Sequence, residues 1–167
     1  VHPAQPALPP LPHEGLLQGL PPYSRQIMDL PTVEVAAAVI EAGGRYLVTR
    51  RTKGHLEGLW EFPGGKVRPG ETLPECLRRE IKEELGVEVS VGEKIETVTW
   101  HYPERTVVLH FFRCRHAGEI APQEGQPFAW VAPEEFDRYQ FPPADTSLIA
   151  RLSGAPRARS RRPPPAP

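Results

Sequence analysis

Two runs of β-branched and aromatic residues predict a hairpin in the first half of the chain. Residues 33–41 read VEVAAAVIE and residues 45–51 read RYLVTRR. Ala42, Gly43 and Gly44 join them, and glycine pairs between two such runs favour a tight turn. We therefore expect two antiparallel strands at these positions.

A helical period replaces the strand pattern after residue 71. Apolar side chains recur every four residues and so share one side of a helix: Leu73, Leu77, Ile81 and Leu85. Thr72 offers an N-cap oxygen with Glu75 three residues later, Pro74 is tolerated in the first turn, and Gly86 follows the last apolar position. The pattern predicts a capped helix over residues 72–85.

The rest of the central region mixes both periods. The strand pattern covers 94–102, 106–115 and 128–131, and the helical pattern covers 133–139 and 145–152. Strands and helices without strict βαβ alternation favour an α/β (α+β) fold, with a mixed sheet flanked by helices. Residues 52–70, TKGHLEGLWEFPGGKVRPG, are too irregular for a helix and too long for a plain turn, so we expect a functional loop there.

Proline is concentrated at the two ends of the chain. Thirteen of the 22 prolines lie in 1–32 and 153–167, so we expect poorly ordered arms around one domain at 33–152. The arginine-rich C-terminal arm is expected to be a solvated tail, with weak contact to nucleic acid or an acidic partner as the alternative. Met28, the only methionine, indicates either a second translation start or a linker upstream of it.

Charge and cysteine content exclude several classes of protein. The net charge of −1 argues against a body that wraps nucleic acid, and a small ligand fits better. Cys76 and Cys114 lack the neighbours of a disulfide framework or a zinc site, so we expect reduced core thiols. No apolar run reaches the ~20 residues of a membrane helix and no signal peptide is visible, so the expectation is a soluble, cytoplasmic protein.

Three carboxylates on the predicted helix are candidates for chemistry. Glu80, Glu83 and Glu84 stand at i, i+3 and i+4, and Glu80 and Glu84 fall at the edge of the apolar stripe. Like charges placed so closely repel each other unless cations compensate, and Mg²⁺ accepts such oxygens. The alternative at this point is an ordinary solvated charged face.

The surrounding residues match the Nudix box, G-x5-E-x7-R-E-U-x-E-E-x-G-U, where U is apolar. The fixed positions are Gly65, Glu71, Arg79, Glu80, Glu83, Glu84 and Gly86, with Ile81 and Val87 at the apolar ones. The chain thus resembles a Nudix hydrolase over residues 33–152. The resemblance implies an α/β/α sandwich and bound Mg²⁺, or Mn²⁺, that holds a phosphate chain and helps a water attack phosphorus in line.

The resemblance also assigns roles to residues of the box. It makes Glu80, Glu83 and Glu84 metal ligands, and it gives Arg79 and Glu71 a supporting role through charge pairing. Gly64 and Gly65 would let the backbone pass close to metal and phosphate. The alternatives are an exposed ion pair and a plain turn.

Four further stretches resemble the MutT-type pyrophosphohydrolases: TRR at 49–51, EFPGGK at 61–66, EGQP at 124–127 and FPPA at 141–144. This implies conversion of a nucleoside triphosphate to monophosphate and pyrophosphate, as in removal of 8-oxo-dGTP from the nucleotide pool. It makes Glu124 a further metal ligand and Arg51 and Lys66 phosphate contacts.

The same resemblance places the base near Phe62, whose alternative role is core packing. Trp100 and Tyr102 are further candidates for the pocket, with core packing as the alternative. Asp145 departs from the MutT pattern, which has asparagine there; ionised aspartate only accepts hydrogen bonds, so cytosine or adenine would suit it better than 8-oxoguanine. The alternative is that Asp145 caps the helix it opens.

Two other functions remain open at the level of sequence. GLWEFPGGK also resembles the C-terminal domain of adenine DNA glycosylases, a lesion-recognition module without hydrolase activity, although the complete set of box glutamates argues against this. Within the enzymes, ADP-ribose, dinucleoside polyphosphates and capped RNA are other substrates of the same box. We expect a small nucleotide as the partner, no membrane contact, and an oligomeric state that the sequence does not specify.

Overall fold

A computed structural model describes residues 30–154 of the chain. The strands in that range are β1 (Thr32–Ala42), β2 (Arg45–Arg50), β3 (Trp60–Glu61), β4 (Gly64–Lys66), β5 (Glu88–His101), β6 (Thr106–Ala117) and β7 (Phe128–Val131). The helices are α1 (Leu73–Leu85) and α2 (Thr146–Leu152), with 3-10 helices at Pro133–Arg138 and Pro143–Asp145. Met28 and most of both arms lie outside the described residues, so the expectations about them stay predictions.

The hairpin of β1 and β2 is confirmed. Ala42 pairs with Arg45, and the two glycines between them have φ of 58° and 74°. Both values lie in the left-handed region, which glycine enters without steric cost. Beyond this turn the two strands diverge to different partners, and the space between them receives the glycine-rich segment.

The mixed sheet is also confirmed. β1 pairs in parallel with β6 along Thr32–Ile40 and antiparallel with β4 through Val35–Ala37. β5 is antiparallel to β6, while β2 is antiparallel to both β3 and β7. The segment expected to be one long loop therefore contains two short strands, which bring its glycines against the middle of β1.

Alternation along β1 separates two cores. Ala36, Ala38 and Ile40 pack in one cluster with the apolar side of α1. Ala37 and Val39 pack in a second cluster, which includes Leu148 of α2 and Phe136. Because successive strand residues point to opposite faces, β1 serves both layers, and the result is a helix–sheet–helix arrangement of the α+β class.

The remaining expectations differ from the structure mainly in their boundaries. β5 begins at Glu88 rather than 94, because register shifts between Val91 and Glu96 interrupt the alternation that marks a strand. The segment predicted as a helix at 133–139 is a 3-10 helix. Cys76 and Cys114 are free and buried, as expected. Among the helices described, none is long and apolar enough to cross a membrane.

Candidate active site

A cavity of about 370 Å³ opens on the face of the sheet that carries Ala37 and Phe111. Its floor is formed by odd-numbered residues of β1 and β6, which are small or apolar. Its walls come from the glycine-rich segment, one edge of α1, the turn between β5 and β6, and the Pro143–Asp145 helix. An apolar floor with a few polar groups on its walls is the usual form of a small-ligand site.

Helix α1 is fixed so that two of its acids face this cavity. Its N-terminus has a complete capping box, in which Thr72 accepts from the Glu75 N–H at 3.2 Å and Glu75 accepts from the Thr72 N–H at 3.4 Å. The stripe through Leu77, Ile81 and Leu85 is fully buried. With that stripe against the sheet, Glu80 and Glu84 line the cavity.

Arg79 connects the box acids around the edge of the cavity. It donates to both oxygens of Glu71, at 2.7 and 2.8 Å, and to Glu80 at 2.7 Å and Glu83 at 3.3 Å. It also donates to the Lys66 carbonyl at 3.0 Å. The hydrogen bond from Arg79 lowers the pKa of Glu71 to about 2, so Glu71 stays ionised. This bidentate pair ties α1 to the loop before it.

Glu84 shows why this wall suits a cation. Burial first, then the charges of Glu80 and Glu61, raise the pKa of Glu84 to about 8. A divalent cation would relieve that repulsion. Within residues 30–154 no three His, Cys, Asp or Glu side chains form a cation site by themselves. Mg²⁺ commonly takes one or two carboxylates and completes its shell with water and substrate phosphate, so Glu80 and Glu84 fit it.

The other two expected ligands are not brought to the cavity. Glu83 is half exposed and is held by Arg79 and, at 3.7 Å, by Arg68. Glu124 is 67% exposed and its nearest charge is Lys53, at 3.9 Å. Neither lines the cavity, because Glu83 lies on the outer side of α1 and Glu124 lies in the loop before β7.

Two glycines let the wall approach the acids. A Cβ on Gly65 would overlap the Glu80 carboxylate, and a Cβ on Gly64 would overlap the Ala36 carbonyl oxygen. Neither glycine has a positive φ, so close approach rather than backbone conformation requires glycine here. The Gly64 N–H also lowers the pKa of Glu84, opposing the effect of burial.

Cations line the cavity beside these acids. Arg51 and Lys66, both expected as phosphate contacts, lie on the wall, and Arg51 donates to Glu61 at 3.2 Å. Arg105 and Glu61 line the same cavity, although no pattern in the sequence singles them out. Glu61 lies within EFPGGK, so the resemblance of that stretch to the MutT-type enzymes is the signal that could have identified it.

The far end of the cavity combines aromatic rings with a buried acid. Phe62 is 4% exposed, stacks on Phe141 at 5.7 Å between ring centroids, and still lines the cavity, so it belongs to both core and pocket. Asp145 is also 4% exposed. Burial first, then the charge of Glu61, raise the pKa of Asp145 to about 7.

The capping alternative for Asp145 is wrong. Its side chain makes no hydrogen bond to the first turn of α2 and instead lines the cavity. Tyr102 lines the cavity as well and meets the His55 ring edge-on at 4.9 Å. Trp100 is half-buried and is not part of the cavity wall.

Comparison with known proteins identifies the domain. Residues 35–151 match the model of the NUDIX domain, which is most of the chain. The chain belongs to the Nudix family. It is therefore a hydrolase that acts on phosphoric anhydride bonds, and three residues of the Nudix box identified from the sequence, Gly65, Glu80 and Glu84, lie on the cavity wall.

Relatives of this Nudix domain include nucleotide diphosphatases. The chain is 37% identical to a CTP pyrophosphohydrolase of Escherichia coli, over 76% of this chain and 96% of the relative. It is 38% identical to an 8-oxo-dGTP diphosphatase of Haemophilus influenzae, over 75% and 94%. A crystal structure of a MutT protein from Methanosarcina mazei matches with TM-score 0.68 and 25% identity, over 74% and 94%. The domain is thus a Nudix hydrolase of the MutT type.

Proposed function

We propose that this chain is a Mg²⁺-dependent pyrophosphohydrolase that cleaves nucleoside triphosphates of the oxidised or non-standard type, such as 8-oxo-dGTP, to the monophosphate and pyrophosphate. One observation carries the proposal. The paired acids Glu80 and Glu84 line the same cavity as the aromatic Phe62 and the buried Asp145. A ligand held there would have a phosphate chain at one end and a base at the other.

Different residues would bind the metal ion, the phosphate chain and the base. Glu80 and Glu84 would hold Mg²⁺, which would neutralise charge on the phosphates and lower the pKa of a bound water. Arg51 and Lys66 donate to phosphate oxygens, and an arginine presents several N–H groups for this purpose. The apolar floor orients the base and excludes water beside it.

A second substrate, a cytidine nucleotide, is favoured by Asp145. A buried carboxyl whose pKa is near 7 accepts a hydrogen bond in both forms and donates one only when protonated. The exocyclic amino group of cytosine can therefore be bound at any pH, whereas the O6 acceptor of 8-oxoguanine requires the protonated acid. The similarity to a CTP pyrophosphohydrolase agrees with this second candidate.

Turnover of a nucleotide panel tests the proposal. We expect release of pyrophosphate from 8-oxo-dGTP or dCTP with Mg²⁺, and a fall in kcat of about a hundredfold or more in Glu84→Gln, a size typical for removal of a group that acts in the transition state. Glu119→Gln makes the same change at an exposed acid away from the cavity and should keep full activity. No turnover of 8-oxo-dGTP, dGTP, dCTP, CTP or 2-hydroxy-dATP would refute the proposal.

A further inference from the structure

Two residues outside the Nudix box, Arg51 and Glu61, form an ion pair inside the cavity. The Arg51 Nη1 donates to Glu61 Oε2 at 3.2 Å, and both side chains line the cavity. They are about one-third exposed, at 37% and 31%. The pair therefore faces the space where a ligand would lie, and it is separate from the Arg79 network.

Glu61 is the more firmly anchored member of the pair. It lies in β3, where it pairs with Thr49 of β2, and the preceding Trp60 donates its N–H to the Gln140 carbonyl at 2.8 Å. Its strand is thus held from two sides. The Arg51 backbone is also held, since its N–H donates to the Leu59 carbonyl at 2.9 Å and its carbonyl accepts from the Gly58 N–H at 2.8 Å, but its side chain is long and has several free torsions.

Arg51 is the cavity cation whose direction is set by an acid. In the part of the chain that the structure describes, the other two cations of the cavity wall, Lys66 and Arg105, form no salt bridge. A guanidinium has five N–H donors, and Glu61 accepts from one of them. The remaining donors are available to phosphate oxygens while the contact with Glu61 fixes the plane of the group.

We propose that Glu61 is a positioning residue that orients the Arg51 guanidinium toward the phosphate chain of the nucleotide. The inference rests on the proposed function, because that function makes Arg51 a phosphate contact. Orienting one long side chain before binding is worth about two- to tenfold in affinity. The repulsion between Glu61 and a phosphate chain acts in the opposite direction, but the charge of Arg51 beside Glu61 offsets it.

A double-mutant cycle measures this role. Wild type, Glu61→Ala, Arg51→Ala and the double variant are compared by calorimetric binding of pyrophosphate with excess Mg²⁺ and by kcat and KM for dCTP and 8-oxo-dGTP. We expect Glu61→Ala to weaken pyrophosphate binding and raise KM about fivefold, with kcat within about threefold of wild type. We expect the double variant to bind no more weakly than Arg51→Ala, since Glu61 acts through Arg51.

Two variants complete the design. Glu61→Gln keeps an oxygen acceptor for Arg51 and should recover binding to within about twofold of wild type, which loss of fold would not explain. Glu57→Ala removes an exposed glutamate from the same loop, outside the cavity wall, and should bind pyrophosphate like wild type. If Glu61→Ala fails to fold, the comparison of Glu61→Gln with Arg51→Ala still tests the positioning role. Pyrophosphate binding by Glu61→Gln that is as weak as binding by Arg51→Ala would contradict the proposal.

Other outcomes have equally definite meanings. Tighter binding of pyrophosphate by Glu61→Ala would show that Glu61 competes for Arg51, and it would overturn the proposal. The proposal would also be overturned if the losses in pyrophosphate affinity of the two single variants multiplied in the double variant. Absence of pyrophosphate binding by the wild type would overturn it as well. Coupled effects on pyrophosphate binding in a protein that turns over no nucleoside triphosphate would support the positioning role and refute the proposed function alone.

Discussion

Asp145 combines deep burial with a position where a base would lie. Its carboxyl is almost inaccessible, and the groups in the cavity that interact with its charge are the acid Glu61 and the phenol Tyr102. Burial raises the pKa of Tyr102 above its usual value, so the phenol stays neutral near pH 7. The group that changes its hydrogen-bonding character near neutral pH at this end of the cavity is therefore Asp145, whose pKa is about 7.

The titration of Asp145 predicts that the preference between 8-oxo-dGTP and dCTP depends on pH. Below its pKa Asp145 is protonated and can donate to O6 of 8-oxoguanine, and above it the carboxylate only accepts. We expect the ratio of kcat/KM for 8-oxo-dGTP to that for dCTP to fall several-fold from about pH 6 to about pH 8. Asp145→Asn, which donates and accepts at every pH, should abolish the trend, while the exposed Asp137→Asn should retain it. A ratio independent of pH in wild type would contradict the assignment.

Residue identities could be predicted from the sequence where a box fixes their spacing, and less well elsewhere. Helical spacing alone predicted that Glu80 and Glu84 lie on one side of α1, because residues four apart share a side of a helix. The resemblance named Glu83 and Glu124 as further metal ligands, but it did not predict that they lie outside the cavity wall, since the position of an exposed side chain depends on the charges around it. The ion pair between Glu61 and Arg51 could not be predicted from local sequence, because the two residues are joined by a loop of irregular sequence.

Helix α1 carries residues of both the core and the cavity wall. Its N-terminus is capped by the side chains of Thr72 and Glu75. The reciprocal hydrogen bonds between Thr72 and Glu75 satisfy donors that the first turn leaves without partners. Arg79 then binds the segment before the helix through Glu71. The helix is therefore held at its N-terminus by two independent sets of contacts.

Removal of the cap should affect stability more than catalysis. We expect Thr72→Ala to lower the free energy of unfolding by about 1 kcal/mol, the usual cost of losing an N-cap oxygen. Urea denaturation measures it, with Ser90→Ala, an exposed hydroxyl on β5, as a control expected within about 0.5 kcal/mol of wild type. At 25 °C kcat should be unchanged, because Leu77, Ile81 and Leu85 still hold the helix against the sheet; a large fall in kcat would contradict this.

Helices and strands could be predicted from the sequence where their apolar positions follow a regular period. α1 and the β1–β2 hairpin have strong periods and clear end signals, and both formed as expected. β3 and β4 are too short to show a period, and they form because β2 offers an edge to β3 and β1 offers one to β4. Short pairing of this kind is decided by tertiary context, which local sequence does not contain.

For the whole molecule, the acids at the cavity are a source of instability that a cation can remove. The charges of Glu80 and Glu61 and burial all disfavour ionised Glu84. A ligand that binds only the folded state stabilises it by about 2.7 kcal/mol at a hundredfold excess over its Kd. Mg²⁺ should therefore act on the stability of the whole domain as well as on turnover.

Thermal unfolding can measure this coupling. We expect Mg²⁺ to raise Tm by several degrees above NaCl at equal ionic strength, as a stabilisation of 1 kcal/mol shifts Tm by about 2–8 °C in domains of this size. Glu84→Gln should have a higher Tm than wild type without Mg²⁺ and gain less from it, whereas Glu119→Gln should behave as wild type. An equal gain in all three proteins would mean that the cation binds elsewhere.

The parallel pairing of β1 with β6 has a consequence for the order in which the protein is made and folds. The two strands are separated by the hairpin, the glycine-rich segment, α1 and β5, so the pairing of Thr32 with Thr106 closes a long stretch of chain. Contacts of such sequence separation form slowly, on a timescale of milliseconds to seconds. A nascent chain that has just completed the box would thus hold Glu80 and Glu84 without the floor of the cavity, and we expect activity to emerge only after β6 has been synthesised.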